Sequence, residues 1–177
     1  MENLKKISKV AYVCVRIIRI MGWIGFGAML AAIASLAIFP STGALLFKIG
    51  STSVYSPVVL EEGETALSVI EDLSVSAPAL LIACLMLNSI LSILSRIKED
   101  ESPFTMANVT RIKQVALYMV LLTVVPYLVG MAASLATHIE PEGELHIDTW
   151  VYALVIYCLA LAFEHGVVLQ KQQDETL

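Results

Sequence analysis

Residues 20–39 read IMGWIGFGAMLAAIASLAIF, a stretch that carries no charged side chain. A helix of about 20 apolar residues crosses the roughly 30 Å hydrocarbon core of a bilayer. Three further apolar stretches follow, at residues 76–95, 114–137 and 149–168, and only the last contains a charged side chain, Glu164. The sequence therefore predicts four transmembrane helices, with the lipid bilayer as their surroundings.

The composition of the whole chain supports this prediction. Of its 177 residues, 58% are hydrophobic and 15% are charged, whereas a soluble domain carries about 25% charged residues. We predict an all-α integral membrane protein with a single membrane domain over residues 1–177. Its expected architecture is a four-transmembrane-helix bundle, with an N-terminal amphipathic helix and a small extracytoplasmic cap between helices 1 and 2.

The segments outside the spans are polar and differ in character. Residues 1–19 are basic and amphipathic, which predicts a cytoplasmic helix lying at the membrane surface. Residues 41–75 form the predicted outer cap, extended in its first half and helical in its second. The remaining segments are an inner connector at 96–113, an outer loop at 138–148 and a cytoplasmic tail at 169–177.

The distribution of charge orients the predicted spans. Of the 11 Lys and Arg residues, only Lys48 falls in an outer loop, while both outer loops are rich in Asp and Glu. Because basic residues collect on the cytoplasmic side of a membrane protein, we predict a multi-pass protein whose basic segments face the cytoplasm. Its N-terminus and C-terminus are both expected in the cytoplasm.

One motif precedes the third span and contains the signals of a helix start. Thr105 is a candidate N-cap residue, and Asn108, three residues later, could return the reciprocal hydrogen bond of a capping box. Phe104 and Val109 have the spacing of a hydrophobic staple. Two basic residues then follow at the level of the inner headgroups. The motif is interpreted either as capping with membrane anchoring or as part of a cytoplasmic docking surface. Its candidate residues are Phe104, Thr105, Asn108, Arg111 and Lys113.

A second motif ends the fourth span, with candidate residues Phe163, Glu164, Gly166 and Leu169. An ionisable residue within a span is a functional candidate by default. Glu164 lies near the inner end of the span, however, so we expect structural pairing rather than proton or ligand handling. Its candidate partners are Arg96, Arg111 and Lys113. Gly166 is expected to allow close approach of a neighbouring helix.

Polar and small residues within the spans predict helix packing. Asn88, Ser89 and Ser92 form a polar stripe that we expect to hydrogen-bond across helices. The first span contains small residues at helical spacing, including Gly27-xxx-Ala31 and Ala28-xxx-Ala32. Such spacing favours packing within the protein, although a homo-oligomer is an alternative use of the same surface.

The sequence offers no arrangement of residues suited to catalysis. It has no nucleophile–base constellation, so we predict that the protein is not an enzyme. The outer loop that holds His138 and His146 is interpreted as solvated, and neither a cofactor nor a metal site is expected. Direct binding to nucleic acid is also not expected, since the net charge is -5 and no basic run could follow a phosphate backbone.

Both motifs resemble those of the bacterial DUF2975 (YoaS-like) family of four-helix membrane proteins. The resemblance rests on Pro103-Phe104-Thr105-x-x-Asn108-Val109-x-Arg111-Ile112-Lys113 and on Phe163-x-x-Gly166-x-x-Leu169-Gln170, followed by an acidic tail. Gln172 and Leu177 depart from the usual tail of that family. The resemblance implies a protein of the bacterial cytoplasmic (inner) membrane with no catalytic residues. It also implies a partnership with small helix-turn-helix regulators in the cytoplasm.

Three functional classes remain open on the sequence. We favour a non-enzymatic regulatory or interaction protein that docks a cytoplasmic transcription regulator, because both motifs lie at the predicted inner face. One alternative is a small oligomeric transporter or channel. The other is an accessory or immunity protein that binds a larger membrane partner through its acidic outer loops.

Overall fold

The computed structural model describes residues 2–38, 45–49, 52–55, 66–98, 105–137 and 147–175. It consists of four long helices, α1 (Glu2–Ile38), α2 (Ala66–Lys98), α3 (Met106–Thr137) and α4 (Ile147–Asp174). Between α1 and α2 lie two short strands, β1 (Leu45–Ile49) and β2 (Thr52–Tyr55). The order of helices agrees with the four spans predicted from hydropathy.

Each helix contains an apolar segment long enough to cross a membrane. These segments are Lys9–Ile38, Leu67–Arg96, Met106–Leu135 and Ile147–Gln173. Few of their side chains are buried against protein, and many large apolar side chains on α1 and α4 are exposed. Such surfaces suit lipid as the solvent, so the prediction of a multi-pass membrane protein is confirmed at this level.

The helices are longer than the predicted spans. No break separates residues 1–19 from the first span, α2 begins ten residues before residue 76, and most of the predicted tail continues α4. These extensions contain neither Gly nor Pro, so nothing local ends the helix there. Pro78, two residues after the predicted start of the second span, is consequently interior to α2. An interior Pro leaves the carbonyl of Ser74 without its usual donor.

Two short strands lie within the segment predicted as the cap. They pair as an antiparallel hairpin, with Ile49 opposite Thr52 and Lys48 opposite Ser53, and β1 approaches α1. This fits the extended character predicted for the first half of residues 41–75. The helical character predicted for its second half is borne out from Ala66 onward, where α2 begins. Residues 41–44, 50–51 and 56–65 of the predicted cap lie outside the described residues.

The helices pack in chain order. Among the described residues, α1 packs on α2, α2 on α3 and α3 on α4, but no Cα atom of α1 comes within 8 Å of α4. A closed bundle of four alternating helices would bring the first and last helices together. The described helices therefore form an open row, with α1 and α4 at its edges.

Small residues set the spacing of α1 and α2. A Cβ atom added at Gly22 would lie 2.8 Å from Sγ of Cys84, and one added at Gly25 would lie 3.6 Å from Cδ2 of Leu80. Further along α1, Ala32 is buried. By contrast, Gly27 has no neighbour within 4 Å, so the predicted Gly27-xxx-Ala31 spacing is not part of the contact with α2. Only part of the small-residue surface packs within the chain.

Candidate functional site

The start of α3 is capped as the sequence predicts. The backbone N–H of Asn108 donates to Oγ1 of Thr105 at 3.3 Å and to the Thr105 carbonyl oxygen at 3.0 Å. The N–H of Val109 donates to the same carbonyl at 3.1 Å. Thr105 is therefore the N-cap, because its side chain and carbonyl accept from the first N–H groups of the helix. Phe104, its predicted staple partner, lies outside the described residues.

Asn108 and Val109 anchor this helix start in the protein. Both are almost fully buried, at 1% and 2% exposure. A buried amide side chain in the first turn is unusual for a solvated helix end. The structure thus assigns most of this motif to packing and capping.

The two motifs meet through one ion pair. Nζ of Lys113 on α3 lies 2.8 Å from Oε2 of Glu164 on α4, and each side chain is about one-third exposed, at 32% and 34%. Of the three partners proposed for Glu164, the structure selects Lys113. A carboxylate at the edge of a span is thereby neutralised within the protein, which reduces its cost near lipid.

Arg111 lies on another side of α3. It precedes Lys113 by two residues, a rotation of about 200° around a helix, so it points away from α4. Its side chain is half-buried, and the described residues place no carboxylate within ion-pair distance. The sequence alone could not show whether Arg111 or Lys113 pairs with Glu164, because that choice depends on the rotation of α3 about its axis relative to α4.

The remaining residues of the second motif lie along α4. Phe163 and Gly166 are half-buried, whereas Leu169 is 61% exposed. Beyond them the helix continues to Asp174, with Lys171 and Glu175 3.9 Å apart on its exposed surface. The motif therefore consists of an ion-pairing residue followed by a projecting helical end, not a flexible tail.

Two exposed apolar side chains lie one to two helical turns beyond the ion pair, and the sequence analysis did not identify them. Met106 precedes Lys113 by two helical turns, and Val168 follows Glu164 by about one turn, so both continue the sides of α3 and α4 that carry the pair. Met106 is 52% exposed and Val168 is 45% exposed. We call Met106, Lys113, Glu164 and Val168 the rim patch. In the sequence, the rim patch would have been recognisable as an apolar residue one or two helical turns beyond Lys113 on α3 and beyond Glu164 on α4.

Two interhelical hydrogen bonds lie outside the motifs. Nη1 of Arg19 donates to Oδ1 of Asn88 at 3.1 Å, and Nε1 of Trp150 donates to Oγ1 of Thr123 at 2.9 Å. The interhelical hydrogen bond predicted for Asn88 is thus confirmed. Ser89 instead donates to the carbonyl of Leu85 within α2, at 3.5 Å. Arg19 and Thr123 were not predicted as partners, since contacts across 69 and 27 residues leave no local pattern.

The described residues hold no group of three or more His, Cys, Asp or Glu side chains placed to share a metal ion. His138 and His146 lie outside the described residues. The chemistry available at the rim patch is that of charge, hydrogen bonding and apolar contact. Such an arrangement can bind a partner surface.

Comparison with known proteins gave no relative: no family model, no curated protein and no solved structure matches this chain. The resemblance to the DUF2975 family stays a prediction.

Proposed function

We propose that the chain is a non-enzymatic protein of a bacterial cytoplasmic membrane that docks a cytoplasmic partner at the rim patch. Both termini face the cytoplasm in this proposal, as the placement of the basic residues favours. The resemblance of the motifs suggests a small helix-turn-helix regulator as the partner. Docking at the membrane would hold such a regulator away from its DNA.

The observation that carries the proposal is the exposure of Met106 and Val168, which lie one to two helical turns beyond the Lys113–Glu164 pair on the same sides of α3 and α4. Apolar side chains beside a satisfied ion pair resemble the centre of a protein interface, where apolar contacts exclude water around a few polar groups. The patch lies where α3 begins and α4 ends, beyond the uncharged parts of both helices. Met106 is the first residue of its apolar segment and Val168 lies five residues before the end of its own, so a partner would reach the patch where the two segments leave the membrane.

The distribution of charge within the helices favours docking over transport. Residues 73–95, 114–135 and 149–163 contain no charged side chain. Ion and proton pathways through membranes depend on ionisable residues or interrupted helices near the middle of the bilayer. The charged side chains of α3 lie within its first eight residues, and those of α4 lie at Asp148 and from Glu164 onward.

The test compares matched substitutions at the two ends of α3 and α4. Met106→Ser with Val168→Ser removes apolar contacts at the rim patch, and Met131→Ser with Val151→Ser makes the same changes to exposed residues nearer the opposite end. The tagged full-length protein is expressed in living cells and purified from their membranes. The cytosolic proteins that co-purify with it are then quantified.

The expected result is that a DNA-binding regulator co-purifies with the wild type and with the Met131/Val151 variant. Its recovery falls at least about tenfold with the Met106/Val168 variant, the loss expected when one or two central interface contacts are removed. Equal recovery with both variants, or recovery of no DNA-binding protein with the wild type, would overturn the proposal.

A further inference from the structure

The bond between Arg19 and Asn88 places a cation at the edge of the membrane. Arg19 is the last charged residue before the uncharged stretch 20–39, and its guanidinium is held against α2 by Oδ1 of Asn88 at 3.1 Å. Asn88 is a neutral acceptor, so this bond orients the guanidinium without cancelling its charge. An arginine at the edge of a span is stabilised by a partner of opposite charge, by backbone carbonyls or by extending toward the interface.

The protein supplies no such anion in this part of the chain. Residues 3–38 and 73–98 contain neither Asp nor Glu. Within the part of the chain that the structure describes, the ion pairs involve other residues, and Arg19 has the amide of Asn88 as its hydrogen-bond partner. Lys113 differs, because Glu164 neutralises it at 2.8 Å. The strip between α1 and α2 around Arg19 and Asn88, called the groove below, therefore keeps its positive charge.

Two further donors lie beside the Arg19–Asn88 bond. Arg16 precedes Arg19 by three residues and Ser92 follows Asn88 by four, so each lies about one turn from the bond on the same side of its helix. Because α1 and α2 are antiparallel, both residues lie on the same side of the bond, toward the start of α1. Arg16 is exposed, Ser92 is half-buried, and its hydroxyl has no partner among the described residues.

The groove is closed one turn deeper. At Gly22 the backbone of α1 approaches Cys84 so closely that an added Cβ would lie 2.8 Å from the sulfur. An anion can therefore reach the guanidinium from the headgroup side, but it cannot pass further between the helices. The free N–H groups of Arg19 suit the two oxygens of one phosphate group.

We propose that this groove, formed by Arg16, Arg19, Asn88 and Ser92, binds the phosphate of an anionic phospholipid. The lipid is favoured as the source because the donors lie where an uncharged transmembrane stretch begins, at the level of the headgroups. An anionic lipid is favoured over a zwitterionic one because two arginines face it without a protein carboxylate. The inference rests on the four transmembrane spans and is independent of any cytoplasmic partner.

The test measures lipid retained by the full-length protein. The chain is reconstituted into vesicles of phosphatidylcholine containing a minor fraction of phosphatidylglycerol, then extracted gently, and its bound lipids are counted by native mass spectrometry. The wild type should retain phosphatidylglycerol in excess of its share of the vesicle. Arg19→Gln should lower that preference about fivefold, the contribution of one basic residue near a membrane surface.

Two variants make the result specific to the groove. Asn88→Asp keeps the size of the side chain but gives Arg19 a carboxylate within the protein, so the preference should fall as it does with Arg19→Gln while the thermal stability in phosphatidylcholine is kept. This variant decides the matter if Arg19→Gln fails to fold. Arg111→Gln removes a half-buried cation from α3, outside the groove, and should leave the preference unchanged.

The proposal fails if the wild type shows no preference, or if Asn88→Asp retains phosphatidylglycerol as the wild type does. It also fails if Arg111→Gln lowers the preference as much as Arg19→Gln, since the effect would then reflect total positive charge. Displacement of the lipid by excess inorganic phosphate would assign the groove to a free anion instead. None of these measurements includes a cytosolic protein, so they do not test docking at the rim patch.

Discussion

Lys113 and Glu164 are 51 residues apart in the chain, and their charged atoms lie 2.8 Å apart across α3 and α4. This pair joins the helix start of the first motif to the helix end of the second. It therefore fixes how α4 lies against α3 at the end of the row where the rim patch is exposed.

The first prediction concerns the ion pair itself. Lys113→Gln and Glu164→Gln should each lower the thermal stability of the reconstituted protein, since each leaves one charge at the membrane edge without its partner. Exchanging the two charges, with Lys113→Glu and Glu164→Lys together, should recover more than half of that loss. Thermal unfolding followed by circular dichroism measures the effect. If the exchanged pair is no more stable than the single variants, the two side chains do not interact.

The second prediction concerns the approach of α1 to α2. Gly22→Ala should destabilise the protein by about 1–3 kcal/mol, because the added methyl group would lie against the sulfur of Cys84. Gly27→Ala is the matched control on the same helix and should be neutral or stabilising, since no atom lies within 4 Å of the added group. Reversible unfolding in mixed micelles gives both values. Equal effects would contradict the close approach at Gly22.

The third prediction concerns the cap of α3. Thr105→Ala should cost about 1 kcal/mol of stability, because the N–H of Asn108 loses its side-chain acceptor. Thr105→Ser keeps a hydroxyl at the same position and should remain within a few tenths of a kcal/mol of the wild type. Amide hydrogen exchange in the first turn of α3 should accelerate only in the alanine variant. Unchanged exchange in that variant would show that the cap contributes nothing.

The fourth prediction concerns the contact of α4 with the middle of α3. Trp150 donates to Thr123, whose hydroxyl in turn donates to the carbonyl of Val120 at 2.9 Å. A double-mutant cycle with Trp150→Phe and Thr123→Val should give a coupling of about 0.6 kcal/mol, the average for side-chain hydrogen bonds between transmembrane helices. Additive effects of the two substitutions would mean that the bond contributes no stability.

Hydropathy was sufficient to predict the four helices, and local chemistry was sufficient for one of their ends. The uncharged stretch 20–39 indicates a helix long enough to cross a membrane, because a helix satisfies its backbone hydrogen bonds within one segment. Thr105 was recognisable because an N-cap acts on residues only two or three positions away. Helix lengths were underestimated because hydropathy reports where lipid contact ends, whereas a helix continues until its sequence stops it. The extension of α4 to Asp174 is an example.

The contacts between helices were only partly predictable. Glu164 had three candidate partners in the sequence, and choosing Lys113 required the rotation of α3 about its axis. The bond from Arg19 to Asn88 depends in the same way on how α1 and α2 pack at Gly22. The open row could not be foreseen, because the order of spans along the chain says nothing about whether the first and last meet.

The measurement that tests docking at the rim patch most directly is photo-crosslinking in living cells. A photo-activatable benzophenone side chain replaces Val168 at the rim patch in one variant and Val151 in another, since both are exposed residues of α4. After illumination, the adducts are identified by mass spectrometry. Docking in the cytoplasm predicts a covalent adduct with a DNA-binding regulator at position 168 and none at position 151. Adducts with that regulator at position 151 alone, or with lipid alone at both positions, would contradict it.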